Sequence, residues 1–339
     1  MTRLISHSEL STYRNCPLLH HLRYSNRLVK GDAKTNAKAR LGTLWHSTIE
    51  TYWLARIRGE SNADAAELAA DCIPAHVRAI LDDPSTPDNP WPYALDSVGA
   101  TERIEWILEG YLACYAGVAD DLVPLATEVR VEGELLPGVN FVGRADLLAL
   151  DLSTGKALPL DYKTVDKDPS AQSWATSLLL GSQFPLYLHA LRTFGASVPG
   201  PDGGVLRIPG SAFGNTVVYD GVRRDKLKTR VLTPAERFNR VALTFTEAEL
   251  RQTWREAQAT AQAILATEAG RMLPVPAHET QWCGWACEHL LTHTEGRRRG
   301  GDYVQTARDH GWLTPEELLA QQGVGITSSA DRYQEAEQL

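Results

Sequence analysis

Long apolar runs are missing from this 339-residue sequence. Nothing in it approaches the roughly 18 consecutive apolar residues of a membrane-spanning helix, so a helical membrane protein is excluded. The opening MTRLISHSEL carries no apolar stretch of the secretory kind, and the expected compartment is the cytoplasm. Cysteines do not pair up in number: Cys16, Cys72, Cys114, Cys283 and Cys287 make five. In a reducing compartment they do not form a disulfide framework, which leaves burial or metal ligation. A Gly-x-x-x-x-Gly-Lys-Ser/Thr phosphate loop is absent, so ATP-driven work is not encoded. Internal repeats and low-complexity tracts are absent too. Positive charge is in deficit, 34 Lys and Arg against 42 Asp and Glu for a net −8, which argues against a generic nucleic-acid coat protein.

The basic residues that exist are clustered. Residues 21 to 40 hold Arg23, Arg27, Lys30, Lys34, Lys38 and Arg40 against the single acid Asp32, and RRDKLKTR (223 to 230) and RRR (297 to 299) repeat the bias. One such cluster is an ordinary solvated surface; three in an acidic chain leave room for a locally basic groove.

With 43% hydrophobic residues the chain can bury a sizeable core. Ser6 or Ser8 starts a helix that Pro17 interrupts, and residues 37 to 58 repeat apolar positions at helical spacing, with His46 beside the stripe. Residues 101 to 117 form another amphipathic helix that absorbs Cys114, and Cys72 falls in a similar run. The texture then changes to three strands, 125 to 135, 140 to 150 and 157 to 164, joined by short turns. A helix over 173 to 194 puts Gln183 and Tyr187 on one face, and residues 241 to 266 return through a strand to a final long helix. This order predicts an α/β core with a helical N-terminal extension. The expected division is a helical region over 1–120 carrying Cys16 and His46, a core over 121–270, and a Cys/His segment over 271–339, in one compact body.

Within LPLDYKT (158 to 164), alternation sets Asp161 and Lys163 on the face opposite Leu160 and Tyr162. If 141–150 and 157–164 pair antiparallel, Asp146 of GRAD lies near Asp161. Two converging carboxylates repel unless a cation lies between them, and Mg²⁺ or Mn²⁺ resolves this with oxygen ligands, one of which the Tyr162 carbonyl can supply. The bland alternative is a surface Asp–Lys pair with Asp146 capping a turn.

Four motifs then align. LGTLWHSTIE with His46, GRAD with Gly143 and Asp146, DYK with Asp161 and Lys163, and QFPLY with Gln183 and Tyr187 occur in that order. The set resembles the RecB-like branch of the PD-(D/E)XK nucleases, in the CRISPR-associated and phage-type exonuclease group; SHSELSTYRNCP also looks like the N-terminal motif of that branch. The resemblance implies a restriction-endonuclease-like mixed central sheet flanked by helices. It implies metal ligands at His46, Asp146, Asp161 and the Tyr162 carbonyl, catalytic roles for Asp146, Asp161 and Lys163, and DNA positioning by Gln183 and Tyr187. Glu128 in the preceding strand stays outside the set. The activity implied is divalent-metal-dependent DNA exonuclease action on DNA ends in recombination, repair or phage DNA processing, with a single-strand annealing protein as a partner. A non-catalytic DNA-end-binding adaptor of the same fold and a CRISPR-type spacer-processing nuclease are the alternatives.

Many members of the branch also staple an N-terminal cysteine to a C-terminal trio around a [4Fe-4S] cluster. Cys16 suits the first position, whereas Cys283 and Cys287 are spaced Cys-x-x-x-Cys and His293 stands where the last cysteine is expected. This set allows an iron–sulphur cluster, tetrahedral Zn²⁺ or no metal at all.

Overall fold

The computed structural model describes residues 2–30, 37–82, 91, 95–115, 121–166, 168–200, 203–224, 226, 230–275 and 290–321. The chain opens with β1 (Arg3–Ser6), α1 (His7–Asn15), α2 (Pro17–His20) and β2 (Val29–Lys30), followed by helices α3 (Ala37–Ile57), α4 (Asn62–Leu81) and α5 (Ser97–Tyr115). Strands β3 (Leu122–Leu136), β4 (Val139–Asp151) and β5 (Lys156–Val165) precede α6 (Gln172–Leu179) and α7 (Gln183–Phe194). Then come β6 (Ala196–Pro199), β7 (Val205–Ile208), β8 (Thr216–Arg223), α8 (Pro234–Arg237), β9 (Phe238–Thr244) and α9 (Glu247–Glu268). After the stretch 276–289 follow α10 (Leu290–Arg298), α11 (Tyr303–Asp309), β10 (Trp312–Leu313) and α12 (Pro315–Gln321).

These elements form two compact units, one of residues 1–34, 134–142 and 254–339, the other of 35–133 and 143–253. Both are assembled from separated stretches of the chain.

In the larger unit β3 pairs with β4, β4 antiparallel with β5, β5 parallel with β8, and β8 antiparallel with β9. The result is a mixed sheet flanked by helices, as expected. Short turns join β3 to β4 and β4 to β5, and Gly138 and Gly155 supply the positive φ those turns need. The parallel β5–β8 pair needs a crossover, and α6, α7 and the β6–β7 hairpin make it. One sheet face, including Leu147, Leu158, Leu160, Tyr162 and Val218, is buried with Trp45, Ile49, Ile104 and Tyr111 from α3 and α5. On the other face Phe184 of α7 meets Tyr219 of β8 edge-on at 4.9 Å. The predicted single helix over 173–194 is two helices. Pro185 is disfavoured in a helix interior, because its ring would crowd the carbonyl four residues back, at Gly181. The chain therefore breaks at Gly181–Ser182, and Pro185 falls in the first turn of α7, where its missing N–H costs nothing.

In the smaller unit β1 runs parallel to residues 139–142 of β4. Ser6 accepts the Glu9 N–H at 3.1 Å and starts α1; Cys16, with extended backbone, ends it and caps α2. Gln258 of α9 donates to the Leu135 carbonyl at 2.9 Å, and Phe141 packs edge-on against Trp254. A second small core gathers Leu18, Leu22, Leu28, Ala307 and Trp312. Among the described residues no helix is long and apolar enough to cross a membrane.

Candidate active site

The site grows out of the end of one strand ladder. Residues of β4 and β5 pair from Asp151↔Lys156 to Leu147↔Leu160. Beyond Leu147 the next residue of β4 is Asp146, and its Oδ2 accepts the Tyr162 N–H at 2.9 Å, so a carboxylate completes the hydrogen bond that a backbone carbonyl would otherwise make. Leu160 and Tyr162 are 1% and 2% exposed in the helix-facing core. The two-residue period of the strand then sends Asp161 and Lys163 to the opposite face, with Oδ2 and Nζ 2.7 Å apart. From α3, His46 brings Nδ1 to 3.5 Å from Oδ2 of Asp146 and sets its ring edge-on to Tyr162. From α7, Gln183 accepts from Nζ of Lys163 at 3.4 Å and donates to the Tyr187 hydroxyl at 3.2 Å, which also accepts the Arg144 N–H at 3.3 Å. The predicted residues His46, Asp146, Asp161, Lys163, Gln183 and Tyr187 are thus brought together from four separate elements.

A model of the PD-(D/E)XK nuclease superfamily matches residues 4–290. The chain belongs to that superfamily. Among solved structures it is similar to the crystal structure of a candidate exonuclease from Eubacterium rectale, with 12% identity over 84% of this chain and 88% of that one and a TM-score of 0.44. No curated protein matches it.

Burial dominates the electrostatics of the candidate site. It raises Asp161 from 3.8 to about 6; Lys163 opposes the rise and Asp146 adds to it. Asp146 likewise rises to about 6 through burial, against the pull of the Tyr162 N–H and of Lys163. Burial lowers the pKa of His46, which keeps its ring neutral and a nitrogen lone pair available. For Lys163 burial acts downward, but Asp161 outweighs it and the ammonium is held above its ordinary value.

Three further charged groups border the site. Arg144, inside GRAD, sets Nε 2.6 Å from Oε2 of Glu128, whose pKa burial raises to about 7. Glu128 has a positive φ of 50°, uncommon for a residue with a side chain. Glu50 follows His46 by one turn of α3, and burial raises it as well. The signal for Glu50 was its i+4 spacing from His46; the Arg144–Glu128 contact depends on hairpin register, for which there was no local signal.

The residues present fit a hard divalent cation. Asp146, the buried Asp161 and the neutral imidazole of His46 are the donor types such an ion takes, and Oδ2 of Asp161 lies 2.7 Å from the Lys163 ammonium. Among the described residues, the donor set whose ligand atoms all lie within 4.8 Å of one another is Glu9, His20 and Glu268, in the smaller unit. There the Arg3 guanidinium already bridges Glu9 and Glu268 and supplies the positive charge. Of the proposed iron–sulphur or zinc ligands, Cys283 and Cys287 lie outside the described residues. Cys16 is half-buried, its Sγ accepting the Leu19 N–H at 3.4 Å, and His293 lies on α10. The basic stretches are partly neutralised: Lys38 and Arg224 both reach Asp166 at 2.5 Å, and Arg230 pairs with Glu236.

Gly143 has a tight neighbour. A Cβ there would stand 2.4 Å from Cε1 and 2.8 Å from the hydroxyl of Tyr187. Gly143→Ala is therefore expected to push the buried ring away and destabilise the protein by about 1–3 kcal/mol. A melting curve beside a turnover assay checks this, with both expected to fall.

Proposed function

We propose that the chain is a divalent-metal-dependent DNA exonuclease that hydrolyses phosphodiester bonds in recombination, repair or phage DNA processing. The observation that carries the reading is the meeting of Asp146, Asp161, Lys163 and His46 at the end of the β4–β5 ladder. A binding-only protein has no chemical need to gather two carboxylates, an ammonium and an imidazole at one point, with Asp161 buried. Asp146, Asp161, His46 and the Tyr162 carbonyl would hold Mg²⁺ or Mn²⁺. When bound, such an ion polarises a phosphoryl oxygen and makes a nucleophile available at neutral pH. The residues do the rest: Asp146 keeps its orientation through the Tyr162 N–H, and His46 stays neutral. Lys163 stays protonated between Asp161 and Gln183, and its ammonium would stabilise charge that develops on the phosphate.

The test is a digestion of end-labelled single- and double-stranded DNA, linear and circular, with Mg²⁺, with Mn²⁺ and with EDTA. Linear DNA is expected to be degraded with either metal, circular DNA to survive, and EDTA to stop the reaction. Cleavage of circles at the same rate would convert the reading to an endonuclease, and binding without cleavage in either metal would leave only an adaptor.

A further inference from the structure

Gln183 and Tyr187 sit where two catalytic strands have stopped pairing. The last matched pair of β4 and β5 is Leu147↔Leu160, and the chemistry lies beyond it, at Asp146 on one strand and Asp161 and Lys163 on the other. Past that pair, α7 ties the strands together. The Tyr187 ring lies against Gly143 of β4, and its hydroxyl accepts the Arg144 N–H at 3.3 Å and the Gln183 amide N–H at 3.2 Å. The other end of that amide, Oε1, accepts from Lys163 of β5 at 3.4 Å. Tyr187 is 5% exposed, which leaves its hydroxyl little access to a strand of nucleic acid.

We propose that Gln183 and Tyr187 are positioning residues for Lys163, bracing its ammonium against β4, and that they are not contacts to the nucleic acid. The inference rests on the nuclease reading above and gives these two residues a different task from DNA placement. The direction of the amide is the key. Its NH₂ end can donate and its carbonyl end can only accept, so an ammonium, which can only donate, selects the carbonyl. Tyr187 holds the opposite end by accepting from the NH₂. A flipped amide would set NH₂ against the Lys163 ammonium, so the chain Arg144–Tyr187–Gln183–Lys163 has one favourable sense. Gln183 and Tyr187 are one turn apart on α7, which lets one rigid helix reach β4 and β5 at once. The side chain of Lys163 is 37% exposed, so its ammonium remains within reach of a substrate phosphate while its direction is set from behind.

Two variants, Gln183→Ala and Tyr187→Phe, test this because neither introduces bulk. DNA affinity is measured with Ca²⁺ in place of Mg²⁺, the saturating single-turnover rate with Mg²⁺, and the rate at which an amine-acylating reagent labels Lys163 by peptide mass spectrometry. The brace predicts a saturating rate lower by about 10- to 100-fold, the scale of a misplaced catalytic group. It also predicts a Kd within about twofold of wild type and faster labelling of Lys163 than in wild type, with other lysines unchanged. A Kd weakened about tenfold with the saturating rate kept overturns it in favour of strand contact. Unchanged labelling and unchanged rate also overturn it. A wild-type protein that binds but does not cleave refutes the nuclease reading instead, and Lys163 labelling then decides the brace by itself.

Discussion

Asp161→Asn is expected to abolish metal-dependent cleavage, by about 10³-fold or more, while the protein stays folded; one misplaced charge at a reacting centre has effects on that scale. The substitution keeps the shape of a buried side chain and removes the charge that both Lys163 and a divalent ion need. Lys163→Ala is expected to cost about 10²- to 10³-fold for a different reason, loss of the cation that faces the developing phosphate charge. Mn²⁺ titration followed calorimetrically separates them: Asp161→Asn should weaken the metal, Lys163→Ala should not. Cleavage by Asp161→Asn at the wild-type rate would remove Asp161 from the site.

The same substitution has an opposite effect on stability. Burial raises Asp161 from 3.8 to about 6, so the folded protein holds a proton that the unfolded chain has already released. The stability that proton provides is complete below the ordinary carboxylate range and is lost as pH rises through about 6. Well above that, metal-free protein keeps a buried carboxylate charge that Lys163 offsets only in part. Asparagine carries no such charge. Metal-free Asp161→Asn should therefore melt above wild type near about pH 8, with the gap closing toward about pH 4. A gap that widens as pH falls would reverse the sign of the shift.

How much of this was legible in the sequence follows from the range of each interaction. Strand alternation is local, so the division of DYK into a buried Tyr162 and an opposed Asp161–Lys163 pair could be read from seven residues, LPLDYKT. The approach of Asp146 needed only one assumption, antiparallel pairing across a short turn. His46 and the Gln183–Tyr187 pair come from distant helices, and only the joint order of four motifs pointed to them. The break between α6 and α7 was encoded in Pro185 but hidden by the continuous apolar pattern around it. Arg144 with Glu128, and Lys38 and Arg224 with Asp166, depend on register and on contacts between remote segments. A count of basic residues therefore overstated the unpaired charge of each cluster.

Asp220→Ala is expected to cause a large loss of stability in the larger unit. Asp220 lies beside Tyr162 in the parallel β5–β8 pair and opposite Arg240 in the antiparallel β8–β9 pair, and it is 1% exposed. Arg240 grips it with two nitrogens, Nε to Oδ1 at 2.7 Å and a terminal nitrogen to Oδ2 at 2.9 Å. The Tyr111 hydroxyl donates to Oδ2 at 2.8 Å, and the guanidinium lies over the Tyr115 ring at 4.4 Å. Alanine would leave a mostly buried guanidinium without its counter-charge and a buried phenol without its acceptor. Breaking one side of such a pair costs about 3–5 kcal/mol, read as a lower urea midpoint. Asp220→Asn keeps an acceptor for Tyr111 and should cost less. The double substitution Asp220→Leu with Arg240→Met removes both charges, and because desolvation offsets much of a buried pair's attraction it should recover most of the loss. If the double variant is as unstable as Asp220→Ala, the cost lies in the shape of the Tyr111–Tyr115 pocket and not in the stranded charge. If it recovers, the loss in Asp220→Ala is the cost of the stranded guanidinium charge.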